Sequence, residues 1–191
     1  MKIGLFFGSF NPIHVGHLAM ANYFVEFSDL EQIWLVISPQ NPFKTKKNLL
    51  SEYERYQMAD MALSDDFQIR VSNIEFNLPK PSYTIDTLTY LKEKHKNHQF
   101  ALIVGSDNLK YFHKWKNYEE IIDQYDIYVY PRPGSDPYQY TGKFPLEIVN
   151  APLMEISSSF IRSAIADGKD VRYFLPDKVY QYINKMHLYE K

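Results

Sequence analysis

Short, nearly continuous apolar runs alternate along this chain with longer stretches whose apolar residues are spaced for one helix face. That alternation predicts strands buried on both faces, separated by helices. The first run holds Ile3, Leu5, Phe6 and Phe7, then Gly8 and Ser9, and a helix that begins near Pro12 and reaches about Phe27. Residues 33–38, IWLVIS, read as a second strand, and Ser51 with Glu54 forms a capping box that opens a helix through Leu63. Residues 67–74 read as a strand, 83–95 as a helix, and 100–104 as a buried strand that runs into Gly105, Ser106 and Asp107. A helix at 118–123 and a strand at 127–130 follow, and then 131–144, rich in Pro, Gly and Tyr, is the one long loop, a candidate lid or interface. A strand near 146–149, a helix at 158–166 stopped by Gly168, and a helix after Pro176 close the chain. There is no internal repeat. The expected fold is α/β: a Rossmann-like, doubly wound parallel sheet with helices on both faces, in a single domain over residues 1–191.

Composition changes this picture little. With 45% hydrophobic and 16% aromatic residues the chain can build an ample core. Its 21 Lys and Arg against 23 Asp and Glu give a net charge of −2, which argues against bulk nucleic-acid binding. The sixteen tyrosines read as half-buried strand and loop residues, and the basic run at 92–98 as a solvated helix end. The absence of cysteine excludes disulfides and thiol chemistry. No apolar run approaches membrane-spanning length, and the chain opens directly into a strand without a signal peptide, so the expected compartment is the cytoplasm.

The candidate chemistry sits at strand ends, where open α/β sheets bind ligands. Gly8 and Ser9 allow a sharp turn, and His14 and His17, three apart, fall on one side of a helix start whose unpaired N–H groups attract phosphate. Zinc is the competing reading, but the i, i+4 histidine spacing and a nearby carboxylate are absent. Asp107, just beyond a strand, suits either ribose hydroxyls or a helix cap. Ile156, Ser157, Ser158 and Ser159, followed by Arg162, make a serine-rich helix start that suits a polyphosphate, with an ordinary cap as the plainer alternative.

These segments carry a family resemblance. GSFNPIHVGH at 8–17 is similar to the GxFxPxHxGH signature of the HxGH nucleotidyltransferase superfamily, and ISSSFIR at 156–162 resembles its second phosphate-binding signature. PSYTIDTL at 81–88, VGSDNL at 104–109, FHKW at 112–115 and YPRPG at 130–134 narrow the resemblance to the bacterial nicotinate mononucleotide adenylyltransferases. It runs from Lys2 to near Tyr182. Phe7, Gly8, Ser9 and Asn11 stand where the family usually has two glycines, a threonine and an aspartate, and Phe43 stands where it has a histidine before Lys44. The first changes read as tolerated, because Ser9 keeps the hydroxyl and Asn11 can still cap.

The resemblance implies ATP-dependent adenylyl transfer to nicotinate mononucleotide, giving the nicotinate dinucleotide and pyrophosphate. The implied catalytic residues are His14, His17 and Arg162, and a protonated imidazole serves better than a neutral one. ATP is expected at Phe7, Gly8, Ser9, His14, His17, Gly105, Asp107, Ile156, Ser157, Ser158 and Arg162. Nicotinate mononucleotide is expected at Ser9, Lys44, Tyr83, Thr84, Trp115 and Arg132, with backbone amides at 83–84 taking its carboxylate and the indole stacking on its ring. Arg55 matches a family arginine, with a solvent-facing charge as the alternative. Mg²⁺ is expected to be carried by ATP, with no protein metal site. The partners are small molecules, not nucleic acid or membrane, and a homo-oligomer stays open. Another phosphorylated acceptor, such as nicotinamide mononucleotide or phosphopantetheine, or a non-catalytic nucleotide sensor, is the competing reading.

Overall fold

The computed structural model describes residues 1–39, 49–64 and 66–191. Six strands form one sheet: β1 (Lys2–Gly8), β2 (Gln32–Ile37), β3 (Ile69–Ser72), β4 (Gln99–Gly105), β5 (Ile127–Tyr130) and β6 (Leu146–Ile148). Their order is β3-β2-β1-β4-β5-β6, and every neighbouring pair is parallel. Strand addition reverses after β3, so a crevice opens at the carboxyl ends of β1 and β4.

Alternating side chains of the buried strands serve two cores. On one face Phe6, Leu35 and Ile103 pack under α1 (Val15–Phe27), α2 (Glu52–Leu63), α5 (Ser158–Ala166) and α6 (Asp177–Lys185). On the other face Leu5, Val36 and Leu102 pack under α3 (Thr84–Lys94) and α4 (Tyr118–Gln124). The capping box of α2 forms as its sequence predicts: Ser51 Oγ accepts from the Glu54 N–H, and the Glu54 carboxylate accepts from the Ser51 N–H.

Four elements differ from expectation. α1 starts at Val15 rather than near Pro12, because His14 is its extended N-cap. β3 is four residues long, not eight: the Asp66 carboxylate takes the N–H groups of Gln68 and Ile69, Phe67 is left 82% exposed, and a 3₁₀ turn at Ile74–Asn77 follows. A nine-residue 3₁₀ helix, Ser106–Lys114, continues from β4. Within 131–144, Asp136 caps a 3₁₀ turn at Pro137–Tyr140.

At the amino-terminal edge of the sheet, Lys2 Nζ lies 2.8 Å from both Asp29 and Asp126 and donates to the Tyr128 hydroxyl, which in turn donates to Asp29. Burial alone would lower the lysine's affinity for its proton, but the two carboxylates and the phenol more than reverse this and raise its pKa. Among the described residues no helix is long and apolar enough to cross a membrane.

Candidate active site

Each of the candidate segments ends at the same crevice. A cleft of about 850 Å³ is lined by Phe7, Gly8, Ser9, His14 and His17 from the β1–α1 turn, and by Gly105, Asp107 and Arg132 from the ends of β4 and β5. Ile156, Ser157, Ser158 and Arg162 close one side, and Tyr83, Thr84 and Trp115 line another part of the wall. Lys44 and Phe43 lie outside the described residues.

His14 and His17 form a stacked pair, with ring centroids 3.6 Å apart and planes inclined by 24°. The His14 backbone N–H donates to His17 Nδ1 at 3.3 Å, so the ring proton of neutral His17 sits on Nε2. Of the two residues between them, Gly16 is small for a local reason: a Cβ there would stand 3.1 Å from His14 Nδ1. His14 is buried and its Nδ1 has no hydrogen-bond partner. Burial, with the nearby charge of Arg132, pushes its pKa down to about 4, so the free cleft holds this imidazole neutral rather than protonated.

The two phosphate-type segments are bonded to each other. Ser158 Oγ donates to the Pro12 carbonyl at 2.9 Å, and Arg162 Nη1 donates to the Asn11 carbonyl at 2.7 Å. Ser157 is the N-cap of α5 and accepts from the Phe160 N–H. Arg162 Nη2 also donates to Ser159 Oγ at 3.3 Å, so three serine hydroxyls and the guanidinium build the frame, and the amides of Ser158 and Ser159 at the start of α5 have no side-chain cap. Asn11 does not cap α1. Its side chain instead accepts from the Tyr189 hydroxyl and the Leu50 N–H.

At the end of β4 a Cβ on Gly105 would meet Asp107 Oδ1 at 2.6 Å and Arg132 Cγ at 3.0 Å, so a larger residue there would displace the Asp107 carboxylate. Asp107 does not cap the 3₁₀ helix that it enters. Its side chain is half exposed, accepts from Asn108 Nδ2, and lies 4.0 Å from Arg132 Nε. Arg132 is thus beside Asp107, with its own N–H donating to the buried Ser106 hydroxyl.

α3 begins at Thr84 without a side-chain cap on its first amides. Beneath this start lies Glu75, 2% exposed, whose carboxylate accepts from the hydroxyls of Ser82 and Thr87. Burial raises its pKa, and those hydroxyls, with that of Ser38, oppose the rise. Trp115 packs on Phe112 with centroids 5.1 Å apart, and Lys116 sits 5.0 Å above the Tyr83 ring while paired with Asp86.

Glu75 and Lys116 escaped the sequence reading, and Arg55, matched there to a family arginine, belongs to the site's frame. Arg55 is fully buried: its guanidinium donates to the carbonyls of Leu50, Ser9, Ser38 and Pro39 at 2.6–3.1 Å. The solvent-facing alternative for this residue is therefore excluded. For Glu75 the available signal was a lone acid within the otherwise apolar IEF just before the SYT segment.

A parallel sheet whose switch-point cleft is walled by two interlocked phosphate-type segments defines a nucleotidyltransferase, and a family model described as cytidylyltransferase-like matches residues 5–164. The chain is 52% identical to a Flavobacterium johnsoniae protein named "Probable nicotinate-nucleotide adenylyltransferase", with all of both chains covered. It is 50% identical to a Cytophaga hutchinsonii protein of the same name, over 96% of this chain and 95% of the relative. Among solved structures, the Plasmodium falciparum nicotinic acid mononucleotide adenylyltransferase complexed with NaAD superposes with a TM-score of 0.84 at 23% identity, covering 98% of this chain and 97% of that one. The chain belongs to the nicotinate-nucleotide adenylyltransferase family.

Proposed function

We propose that this protein transfers the adenylyl group of ATP to nicotinate mononucleotide, giving nicotinate adenine dinucleotide and pyrophosphate in NAD biosynthesis. A phosphate oxygen of the acceptor forms a bond to the α-phosphorus of ATP, and the bond from that phosphorus to its bridging oxygen breaks. The electron pair leaves with pyrophosphate. The acceptor phosphate is already ionised at neutral pH, so no base is required, and the enzyme contributes alignment and charge neutralisation.

The carrying observation is that the His14–His17 pair and the Ser157–Arg162 segment share one cleft with Trp115 and the uncapped start of α3. In this reading His17 Nε2–H donates to the α-phosphate as charge develops there. His14 and Arg162 hold the triphosphate with the amides of Ile156, Ser157 and Ser158 leading into α5, and Phe7, Gly8 and Ser9 supply the backbone turn around it. Gly105 and Asp107 take the adenosine ribose. Arg132, between Asp107 and the histidines, adds positive potential where the two substrates meet, and Ser9 also contacts the acceptor. Trp115 stacks on the pyridine ring while the amides at Tyr83 and Thr84 take its carboxylate, a choice of donors that favours the acid over the amide. Lys44 is proposed as a further phosphate ligand.

Mg²⁺ carried in by ATP would neutralise charge on the triphosphate. Among the described residues no group of three His, Cys, Asp or Glu could hold a metal. In the same reading residues 1–191 form one catalytic domain, and the reaction takes place in the cytoplasm.

Pyrophosphate release with ATP and Mg²⁺ tests the reading, comparing nicotinate mononucleotide, nicotinamide mononucleotide and phosphopantetheine at equal concentrations. Strong preference for the nicotinate acid is the expected result. Equal use of acid and amide removes the carboxylate role of the α3 start, and ATP binding without turnover on any acceptor makes the protein a nucleotide sensor.

A further inference from the structure

The last turn of the chain reaches back into the site. After α6 ends, His187 and Tyr189 both adopt left-handed backbone angles, φ of 51° and 67°, which residues with a Cβ rarely take. The turn is held by the Leu188 N–H donating to the Ile183 carbonyl at 3.0 Å. Its product is a half-buried Tyr189 ring packed against the core on the α1, α2, α5 and α6 side of the sheet, with its hydroxyl 2.8 Å from Asn11 Oδ1, across 178 positions of sequence. Asn11 is 3% exposed, and its backbone carbonyl is the acceptor for Arg162 Nη1.

We propose that Tyr189 is a positioning residue for ATP: its hydroxyl fixes Asn11, and Asn11 fixes the Arg162 guanidinium. The proposal rests on the reading that Arg162 engages the triphosphate. Core packing alone does not account for the arrangement, because a phenylalanine would fill the same space, whereas the one polar atom of the ring is directed at the residue that holds Arg162. The left-handed His187 closes the helix end, its N–H donating to the Asn184 carbonyl and the Leu188 N–H to the Ile183 carbonyl, and the left-handed Tyr189 is the second departure, at the residue that makes the contact. Asn11 suits the role because its carboxamide oxygen accepts from both Tyr189 and the Leu50 N–H, tying the signature turn to the chain's end and to the residue just before α2.

Tyr189→Phe removes only the hydroxyl. The readouts are the Kd of ATP by calorimetry, the KM of each substrate, and the melting temperature, in wild-type protein and in an Arg162→Lys background. The expected result is a five- to tenfold weaker ATP Kd and higher ATP KM, the scale of one hydrogen bond. The acceptor KM stays within twofold, and the effect shrinks when Arg162 has already been replaced. Unchanged ATP affinity overturns the proposal. So does an equal loss for both substrates with a lowered melting temperature, which is the mark of a merely structural tyrosine. Should the wild type turn over no acceptor, the proposed reaction fails by itself, and the calorimetric comparison still decides the role of Tyr189.

Discussion

The two edges of one sheet are built to opposite rules. At the amino-terminal edge Lys2, Asp29, Asp126 and Tyr128 satisfy one another in a closed cluster. At the carboxyl edge His14 Nδ1 is buried without a partner, and α3 starts without a cap on its first amides. The four groups of the first cluster have found each other, whereas the His14 imidazole and the first amides of α3 face the cleft. The contrast separates the residues that keep the fold from those that make it useful.

The largest expected effect comes from breaking the open edge at its proposed reacting end. His17→Ala lowers turnover by about a thousandfold or more, the scale of removing one donor at a developing charge, while the melting curve is kept. Turnover within tenfold of wild type removes His17 from the mechanism. Next comes the frame behind that edge. Arg55→Met leaves one buried and three part-buried carbonyls without their donor, and a loss of about 3 to 5 kcal/mol in urea unfolding is expected. A loss under about 1 kcal/mol means that water replaces the guanidinium easily.

The buried imidazole sharpens the comparison through pH. The pKa of native His14 is about 4 against an ordinary 6.5, so between these values the unfolded chain binds a proton that the native protein refuses. Stability therefore falls on acidification through this window. Relative to His14→Asn, the wild type is expected to lose about 2 to 3 kcal/mol between pH 7 and pH 4.5 in urea titrations. Parallel curves for the two proteins disprove the buried neutral imidazole. The smallest effect belongs to the closed edge. Lys2→Met costs about 1 kcal/mol, because both partner carboxylates are mostly exposed, and leaves kcat unchanged. A fall in kcat there would show that the two edges are coupled.

The sequence made the strands of the inner sheet legible because β1, β2, β4 and β5 are apolar runs buried on both faces. It misled at β3, where Phe67 continues the apolar run but Asp66 turns the backbone. It was silent on the 3₁₀ helix after β4, whose buried residues Ser106, Leu109 and Phe112 recur every three positions, a spacing that fits neither an α-helix nor a strand. Within the site, the histidines, the serine-rich helix start, Asp107 and Trp115 were legible from spacing and resemblance, and the described ones all line the cleft. Glu75 and Tyr189 were not, and Arg55 was legible only as a match to a family arginine. Their partners lie up to 178 positions away, so only the folded chain reveals what their polar atoms face.

The bonds from Ser158 to Pro12, from Arg162 to Asn11 and from Tyr189 to Asn11 span 146, 151 and 178 residues. During synthesis the inner strands exist long before these closures can be made. A nascent chain that has emerged only through β5 has most of the sheet but no clamp on its signature turn. The ability to grip a triphosphate is thus among the last properties the molecule acquires, and a chain cut short before α5 has a nucleotide crevice with one wall missing.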